Sequence, residues 1–280
     1  MIKIFTTLKD FQHFRKNLGN SKVGIVPTMG NLHEGHLSLL KKSIEENDIS
    51  VISIFVNPKQ FGPTEDFNTY PRTLDQDIAK ISNIAFNAKS ETVVFAPTSV
   101  EDIYPTGFNT TISVKGVTSK LEGSFRPTHF DGVTTVVYRL FSIIKPHNAY
   151  FGQKDFQQCV VIKKMIDDLG LDINFIRMPI IRNSEGLALS SRNQYLSESE
   201  RSHALILSKT LKKIENLILQ KADYHPFINE CLTDKNWDYL EVLDARDLSE
   251  PKRDSREIVV IGTYRIGTTR LLDNIVVKAL

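Results

Sequence analysis

The sequence predicts an α/β protein: a doubly wound parallel sheet followed by a smaller α+β C-terminal domain. Two observations lead there. Apolar, β-branched runs alternate with segments of helical period across residues 23–180, the pattern of a parallel sheet with right-handed crossovers. After about residue 185 the alternation stops, and a long amphipathic segment is followed by shorter β-like runs. The expected division is a Rossmann-like domain over 1–185 and a lid-like domain over 186–280.

In chain order, residues 1–22 read as a helix-forming lead-in with Leu8, Phe11 and Phe14 on one face. Val23–Pro27 is the first strand, and Gly35–Glu46 the first helix of the alternating pattern. Ile49–Val56 is nearly all apolar, as expected of a strand buried on both faces. Thr73 with Gln76 three residues on resembles a capping box, and Leu74, Ile78, Ile81 and Ala85 mark the buried stripe that follows. Thr92–Ala96 is a strand and Asn109–Val114 an extended excursion. Asp131 and Gly132 open a helix carrying Val133, Val136, Val137, Leu140, Phe141 and Ile144, which Pro146 stops. Ala149–Gly152 is a short strand, and Asp155 is placed to cap a helix that Gly170 ends. Phe175–Pro179 is the fifth strand. In the second domain, Ser197 and Glu200 form a capping box for a helix with Leu207, Leu211, Ile214 and Ile218. Tyr239–Leu243, Ile258–Gly262 and Leu271–Val277 complete it as strands.

Composition narrows the function. The 280 residues carry a formal net charge of +2, which provides no electrostatic case for nucleic acid or an anionic membrane. Cys159 and Cys231 are too few and too far apart for a disulfide framework or a cysteine-ligated zinc site. Met1–Phe5 leads into charged sequence with no signal-peptide core, and the longest apolar run is too short to span a bilayer. The expectation is a soluble protein of the reducing cytoplasm.

Four polar stretches carry the candidate chemistry, three of them at the C-terminal ends of strands, where a doubly wound sheet binds its ligand. The first is Pro27-Thr28-Met29-Gly30-Asn31-Leu32-His33-Glu34-Gly35-His36. It joins a strand to the first turn of a helix, where unpaired N–H groups and the helix dipole favour a phosphate. His33 and His36 stand at i and i+3, not the i and i+4 of a helical zinc-protease site. The plainer alternative is a turn histidine capping its neighbour, beside another facing water. A polyphosphate there would favour a protonated ring. The second stretch is Asn57–Gln60 with Tyr70-Pro71-Arg72; its amides both donate and accept, which suits a small hydroxylated acid, though Asn57 and Gln60 could equally close their own loop. The third is Gly152-Gln153-Lys154-Asp155-Phe156-Gln157-Gln158. Lys154 can reach a phosphate as a point charge, and Asp155 is a cap, or a partner for magnesium or a ribose hydroxyl. The fourth, Leu189-Ser190-Ser191-Arg192-Asn193, is either a hinge before the next helix or a loop that closes over a triphosphate.

Taken together, these blocks resemble the pantoate–β-alanine ligase family. The resemblance also covers Phe55–Gly62, Asp66, Arg126-Pro127, His129-Phe130, Gly132-Val133 and Gly186-Leu187-Ala188, running from about residue 20 to 200 with a weaker tail. It implies that ATP activates the carboxylate of pantoate as an adenylate, which the amine of β-alanine then attacks, releasing AMP. By the same resemblance, ATP is held by Met29, Gly30, Asn31, Leu32, His33, Glu34, Gly35, His36, Gly152, Gln153, Lys154, Asp155, Ile181, Leu189, Ser190, Ser191 and Arg192. His36, a proton donor by this likeness, His33, Lys154 and Arg192 form the catalytic set, and Gln60, Gln158 and Asn57 hold pantoate and β-alanine. It further implies Mg²⁺ with the nucleotide, on ligands the sequence does not assign, and a homodimer.

Three positions and one run depart from the family's pattern. Leu189 replaces a common methionine, Thr128 a usual glycine and Gln76 an acidic residue, and Arg182–Gly186 differs from the usual acidic-x-Asp-Gly run. The first is a swap of similar volume, the second puts its loop's conformation in question, and the last puts any role of Asn183 or Glu185 in question. Another nucleotidyltransferase shares the histidine turn but not the glutamine-bearing blocks. A tRNA-charging module is disfavoured by the absence of a basic patch with interleaved aromatics.

Overall fold

A computed structural model describes residues 2–63 and 65–278; Met1, at the head of the expected lead-in, lies outside them. The chain forms two compact units, one of Met1–Gly152 and Val161–Met178, the other of Gln153–Val160 and Pro179–Leu280.

The first unit contains β1 (Ile2–Phe5), α1 (Leu8–Lys16), β2 (Val23–Thr28), α2 (Glu34–Glu46), β3 (Ile49–Ile54), α3 (Leu74–Ala85) and β4 (Glu91–Phe95). It continues with α4 (Glu122–Phe125), α5 (His129–Ile144), β5 (Asn148–Gly152), most of α6 (Phe156–Asp168) and β6 (Asn174–Met178). The six strands pair in parallel in the order β1-β4-β3-β2-β5-β6. Val23, Gly24, Ile25 and Val26 are all buried, so both faces of β2 are covered, as all-parallel sheets require. One face packs Val26, Ile52 and Val94 against Leu37 and Leu40 of α2 and Ile81 of α3.

The strand order reverses between β2 and β5. The crevice outside the C-terminal ends of those two strands is therefore the expected ligand position. The turn after Thr28 and the glycine at Gly152 both lie at such ends.

Several local expectations change. Ile2–Phe5 is an edge strand on β4 ahead of the lead-in helix, and its half-exposed four-residue pattern carries little periodicity to read. The excursion at 109–114 is not among these changes: it lies outside every strand and helix, and α5 ties it down through Thr134 Oγ1 to Ile112 O, 2.5 Å, and Ile112 N to Thr135 Oγ1, 3.0 Å. Thr73 makes no side-chain cap on α3, because its hydroxyl donates instead to Asp77 at 3.1 Å. Thr128 has φ −103°, a value open to any residue, so a glycine is not needed there. The close approach belongs instead to Gly132, inside α5, which packs on the Lys59–Gln60 backbone. A Cβ on Gly132 would sit 2.2 Å from Lys59 O and 2.6 Å from Gln60 Cα, so only glycine lets α5 approach that backbone.

The second unit contains α7 (Glu198–Leu219), α8 (His225–Cys231), β7 (Trp237–Asp244), β8 (Glu257–Ile266) and β9 (Thr269–Lys278). The strands form an antiparallel β7-β8-β9 sheet, and α7 lays Ala204, Leu207, Leu211 and Ile214 over it. The Ser197–Glu200 capping box is present. The short helix α8, with Ile228 as its buried anchor, has too few apolar positions to show in the sequence. No helix among the described residues is long and apolar enough to cross a membrane.

Candidate active site

The turn after β2 is built by backbone and side chain together. Thr28 Oγ1 donates to Ser53 O at 2.7 Å and accepts from Gly30 N at 3.2 Å. Gly30 and Asn31 follow with φ +84° and +49°, consecutive left-handed residues of the types that tolerate that region. The strained pair is held by Asp77, fully buried in the first turn of α3. Its two carboxylate oxygens accept Asn31 N at 2.9 Å and Leu32 N at 2.7 Å. Lys80 Nζ closes the other side on Leu32 O at 2.7 Å. Thr28 stands in the first polar stretch without a role of its own, and Asp77 and Lys80 do not show in the sequence, because charged residues in a helix are an ordinary sight and only the fold reveals their partners.

His33 is the N-cap of α2, and the two histidines complete a capping box. His33 Nδ1 accepts Gly35 N at 3.1 Å, and His36 Nδ1 accepts His33 N at 3.4 Å. A ring nitrogen that accepts carries no proton, so each neutral ring has its N–H on Nε2. The capping reading and the phosphate reading are thus compatible: Nδ1 caps, Nε2–H donates. Protonation would set N–H against N–H, so this cap restricts the protonated ring that a polyphosphate was expected to favour. The rings lie 4.1 Å apart between centroids. Gly35 is needed beneath them, since a Cβ there would meet His33 Cε1 at 2.8 Å. Glu34 faces solvent and pairs with Lys41 at 3.7 Å.

Gln60 and Asn57 join this turn through Met29. Gln60 Nε2 lies 3.0 Å from Met29 Sδ. Asn57, buried at 1% exposure, donates to Gln60 Oε1 at 3.0 Å and to Gly132 O at 3.1 Å, and accepts from Tyr104 Oη at 2.8 Å. Burial holds the Tyr104 phenol protonated, its pKa pushed well above the usual value. Asn57 thus closes its own loop and also aims the Gln60 amide. Behind the loop, Gln60 O accepts His129 Nδ1–H at 2.9 Å, while His129 Nε2 accepts from Arg126 at 3.1 Å. Arg126 also pairs with Glu65 through two contacts of 2.6 and 2.5 Å. Burial opposes ionisation of Glu65, but the guanidinium prevails and holds the carboxyl below its usual range. Burial, and then the Arg126 charge, lower His129 to about 4.

Gly152 closes β5 with nothing within 4 Å of a built Cβ, so neither backbone nor neighbours require glycine there, and the space suits a ligand against the backbone. In the second unit, Lys154 Nζ lies 3.1 Å from Asp155 Oδ1. Asp155 O accepts Cys159 N at 3.1 Å, the bond that opens α6. Gln153 Nε2 donates to Asn274 at 3.2 Å. Gln157 is buried and Gln158 half-buried. The Ile181 carbonyl edges a short hairpin: Leu189 N donates to Ile181 O at 2.9 Å, and Arg182 bridges Ala188. Asn183 closes that hairpin by accepting Glu185 N at 3.1 Å and Leu187 N at 2.8 Å, so its role is in the turn. Ser190 accepts Arg192 N at 3.2 Å to cap a 3₁₀ turn, Ser191–Tyr195, and Asn193 Nδ2 anchors it on Ala188 O at 2.9 Å. A hydroxyl that accepts still has a proton to donate. Ser191 and Arg192 are half-buried beside it. Among the described residues, no group of three or more His, Cys, Asp or Glu side chains is placed to hold a metal ion.

The structure therefore joins Met29, Asn57 and Gln60 to the histidine turn within the first unit, and Gln153, Lys154 and Asp155 to each other within the second.

Two measurements check this geometry. Asp77→Asn leaves one of the two loop N–H groups facing an amide nitrogen. Urea unfolding should show a loss of about 1–3 kcal/mol, the cost of an unsatisfied buried donor. His129 titrates lower in the folded chain than its unfolded value, about 6.5, so the unfolded chain takes up protons first. Stability should fall as pH drops from about 6.5 towards 4, by about 1 kcal/mol per pH unit, and His129→Gln should flatten that slope; equal slopes would contradict the assignment.

Comparison with known proteins agrees with these features. A family model described as pantoate-beta-alanine ligase matches residues 3–276. A pantothenate synthetase of Acetivibrio thermocellus is 47% identical over 285 residues, covering 99% of both chains. One of Thermosipho africanus is 40% identical, covering 99% of this chain and 100% of the other. A pantothenate synthetase structure from Thermus thermophilus superposes with TM-score 0.89 at 38% identity, covering 98% of this chain and 99% of that one. A pantoate-beta-alanine ligase from Francisella tularensis, complexed with beta-gamma ATP and beta-alanine, does so with TM-score 0.77 at 34% identity, covering 98% and 97%. The chain belongs to the pantoate–β-alanine ligase family.

Proposed function

We propose that this chain joins pantoate to β-alanine through an enzyme-bound pantoyl adenylate, with the residues of the histidine turn handling the phosphates. The observation that carries the assignment is the link between the capped histidines and the Gln60 amide through Met29, on one stretch at the sheet's switch point. Phosphate donors and an acid-recognising amide then share one wall.

In the first step, a pantoate carboxylate oxygen attacks the α-phosphorus of ATP. The bond from that phosphorus to the bridging oxygen breaks, and pyrophosphate leaves with the electron pair. Such transfer rests on positioning and charge stabilisation. His33 and His36 supply Nε2–H donors, Lys154 and Arg192 supply charge, and Ser190 and Ser191 supply hydroxyls. His36 acts here as a hydrogen-bond donor, since its Nδ1 is committed to the cap. Met29–His36, Gly152–Asp155, Ile181 and Leu189–Arg192 frame the nucleotide. Asn57, Gln60 and Gln158 hold pantoate, and Gln60 also lies towards β-alanine. In the second step the neutral amine of β-alanine attacks the acyl carbon, AMP leaves, and the nitrogen gives up its proton. Mg²⁺ would arrive with ATP; with no acidic cluster among the described residues, phosphate oxygens and water would hold most of it. Family membership supports a homodimer. The absence of any pairing between Cys159 and Cys231 suits a reducing cytoplasm.

The test is isotopic. With the carboxylate of pantoate labelled with ¹⁸O, and ATP, Mg²⁺ and β-alanine present, AMP should carry the label and pyrophosphate none. Label in pyrophosphate, or AMP formed without pantoate, would contradict the assignment.

A further inference from the structure

In the second unit, one strand residue anchors the loops that carry Lys154 and the serine–arginine turn. Asn274, in β9, is fully buried. Its amide nitrogen donates to two consecutive carbonyls, Gln153 O at 2.9 Å and Lys154 O at 3.0 Å. Its amide oxygen accepts Gln153 Nε2 at 3.2 Å. Both amide hydrogens and the oxygen are thus used, as a buried amide requires. Asn274 O also accepts from Arg182 at 3.2 Å. The preceding residue, Asp273, is buried at 2% exposure and takes the Arg182 guanidinium at 2.5 and 2.9 Å. Arg182 in turn donates to Gly186 O at 3.1 Å, inside the hairpin that leads to Ser190–Arg192. Two distant loops therefore share a single attachment on neighbouring strand residues.

The donor pattern is specific to asparagine. Aspartate would set a carboxylate against two carbonyl oxygens, and a β-branched apolar residue would fit a strand but leave both carbonyls unpaired. Strand formation alone has no use for this side chain, since Asn is depleted in strands.

We propose that Asn274 is a positioning residue whose side chain sets Lys154 in register for the phosphates of ATP, while Asp273 and Arg182 brace the same strand edge; this rests on the role assigned to Lys154 above. A purely structural role would depress every kinetic parameter alike.

The experiment compares wild type, Asn274→Ala, Lys154→Ala and the double variant. Asn274→Ala should lower kcat/KM for ATP by about ten-fold or more while the KM for pantoate changes less than about two-fold. In the Lys154→Ala background the same substitution should cost almost nothing, because its effect runs through that lysine. Additive losses, or equal losses for ATP and pantoate, would overturn the proposal. If Asn274→Ala does not fold, Gln153→Ala removes one bond of the clamp from a half-buried position. It should show a smaller ATP-selective loss that also vanishes beside Lys154→Ala, and additivity there would equally overturn the proposal. A wild-type protein that forms no pantothenate would refute the function, whereas a wild type that forms it no better than Asn274→Ala would refute the clamp alone.

Discussion

The site of the first unit depends on one buried carboxylate. Asp77 takes the N–H groups of Asn31 and Leu32, and so holds two successive left-handed residues in a turn that the chain would otherwise relax. Everything downstream follows from that turn. It sets where His33 begins α2, and so which N–H its Nδ1 can cap. That cap leaves Nε2 as the proton-bearing edge of the ring. His36 repeats the arrangement three residues on. A carboxylate suits this task because it offers two acceptors and no donor. Its place in the first turn of α3 also sets its charge near that helix's positive end.

The Gln60 loop follows the same logic with neutral groups. Gln60 is held from the front by Asn57 and from behind by His129, and Gly132 lets the helix beneath come close enough for both. Asn57 is buried, Gln60 and His129 are half-buried, and all three are partnered, which rigidifies the loop and makes partial loss costly. In the second unit the Asn274 amide and the Asp273–Arg182 pair do comparable work for the loops of Lys154 and Arg182–Gly186. Asp77, His129 and Asn274, which hold these loops, sit on regular elements.

What was legible in the sequence was local. The strand at Val23, the helix of Leu37 and Leu40, and the buried run after Ile49 show by periodicity, and the histidine turn by its position between them. The Ser197 capping box was legible because both partners lie within one turn. The similar pattern at Thr73 misled because Thr73 had a better partner in Asp77, one turn along the same helix. The aiming groups were not legible for a different reason. Asp77, Tyr104 and Asn274 look like ordinary helix, loop and strand residues until tertiary contact supplies their partners. Arg126 and His129 stood inside recognisable blocks, yet their hold on Gln60 O depends on α5 crossing that loop.

The central claim is that the histidine turn caps with Nδ1 and presents Nε2–H to the nucleotide. Nitrogen-15 NMR of the imidazole rings tests it directly, with His33 and His36 assigned by single substitution. At a pH where both rings are neutral, both should show a protonated Nε2 and an unprotonated Nδ1, and both should keep that form when ATP binds. A proton on Nδ1 of either ring in the unliganded protein would contradict the account.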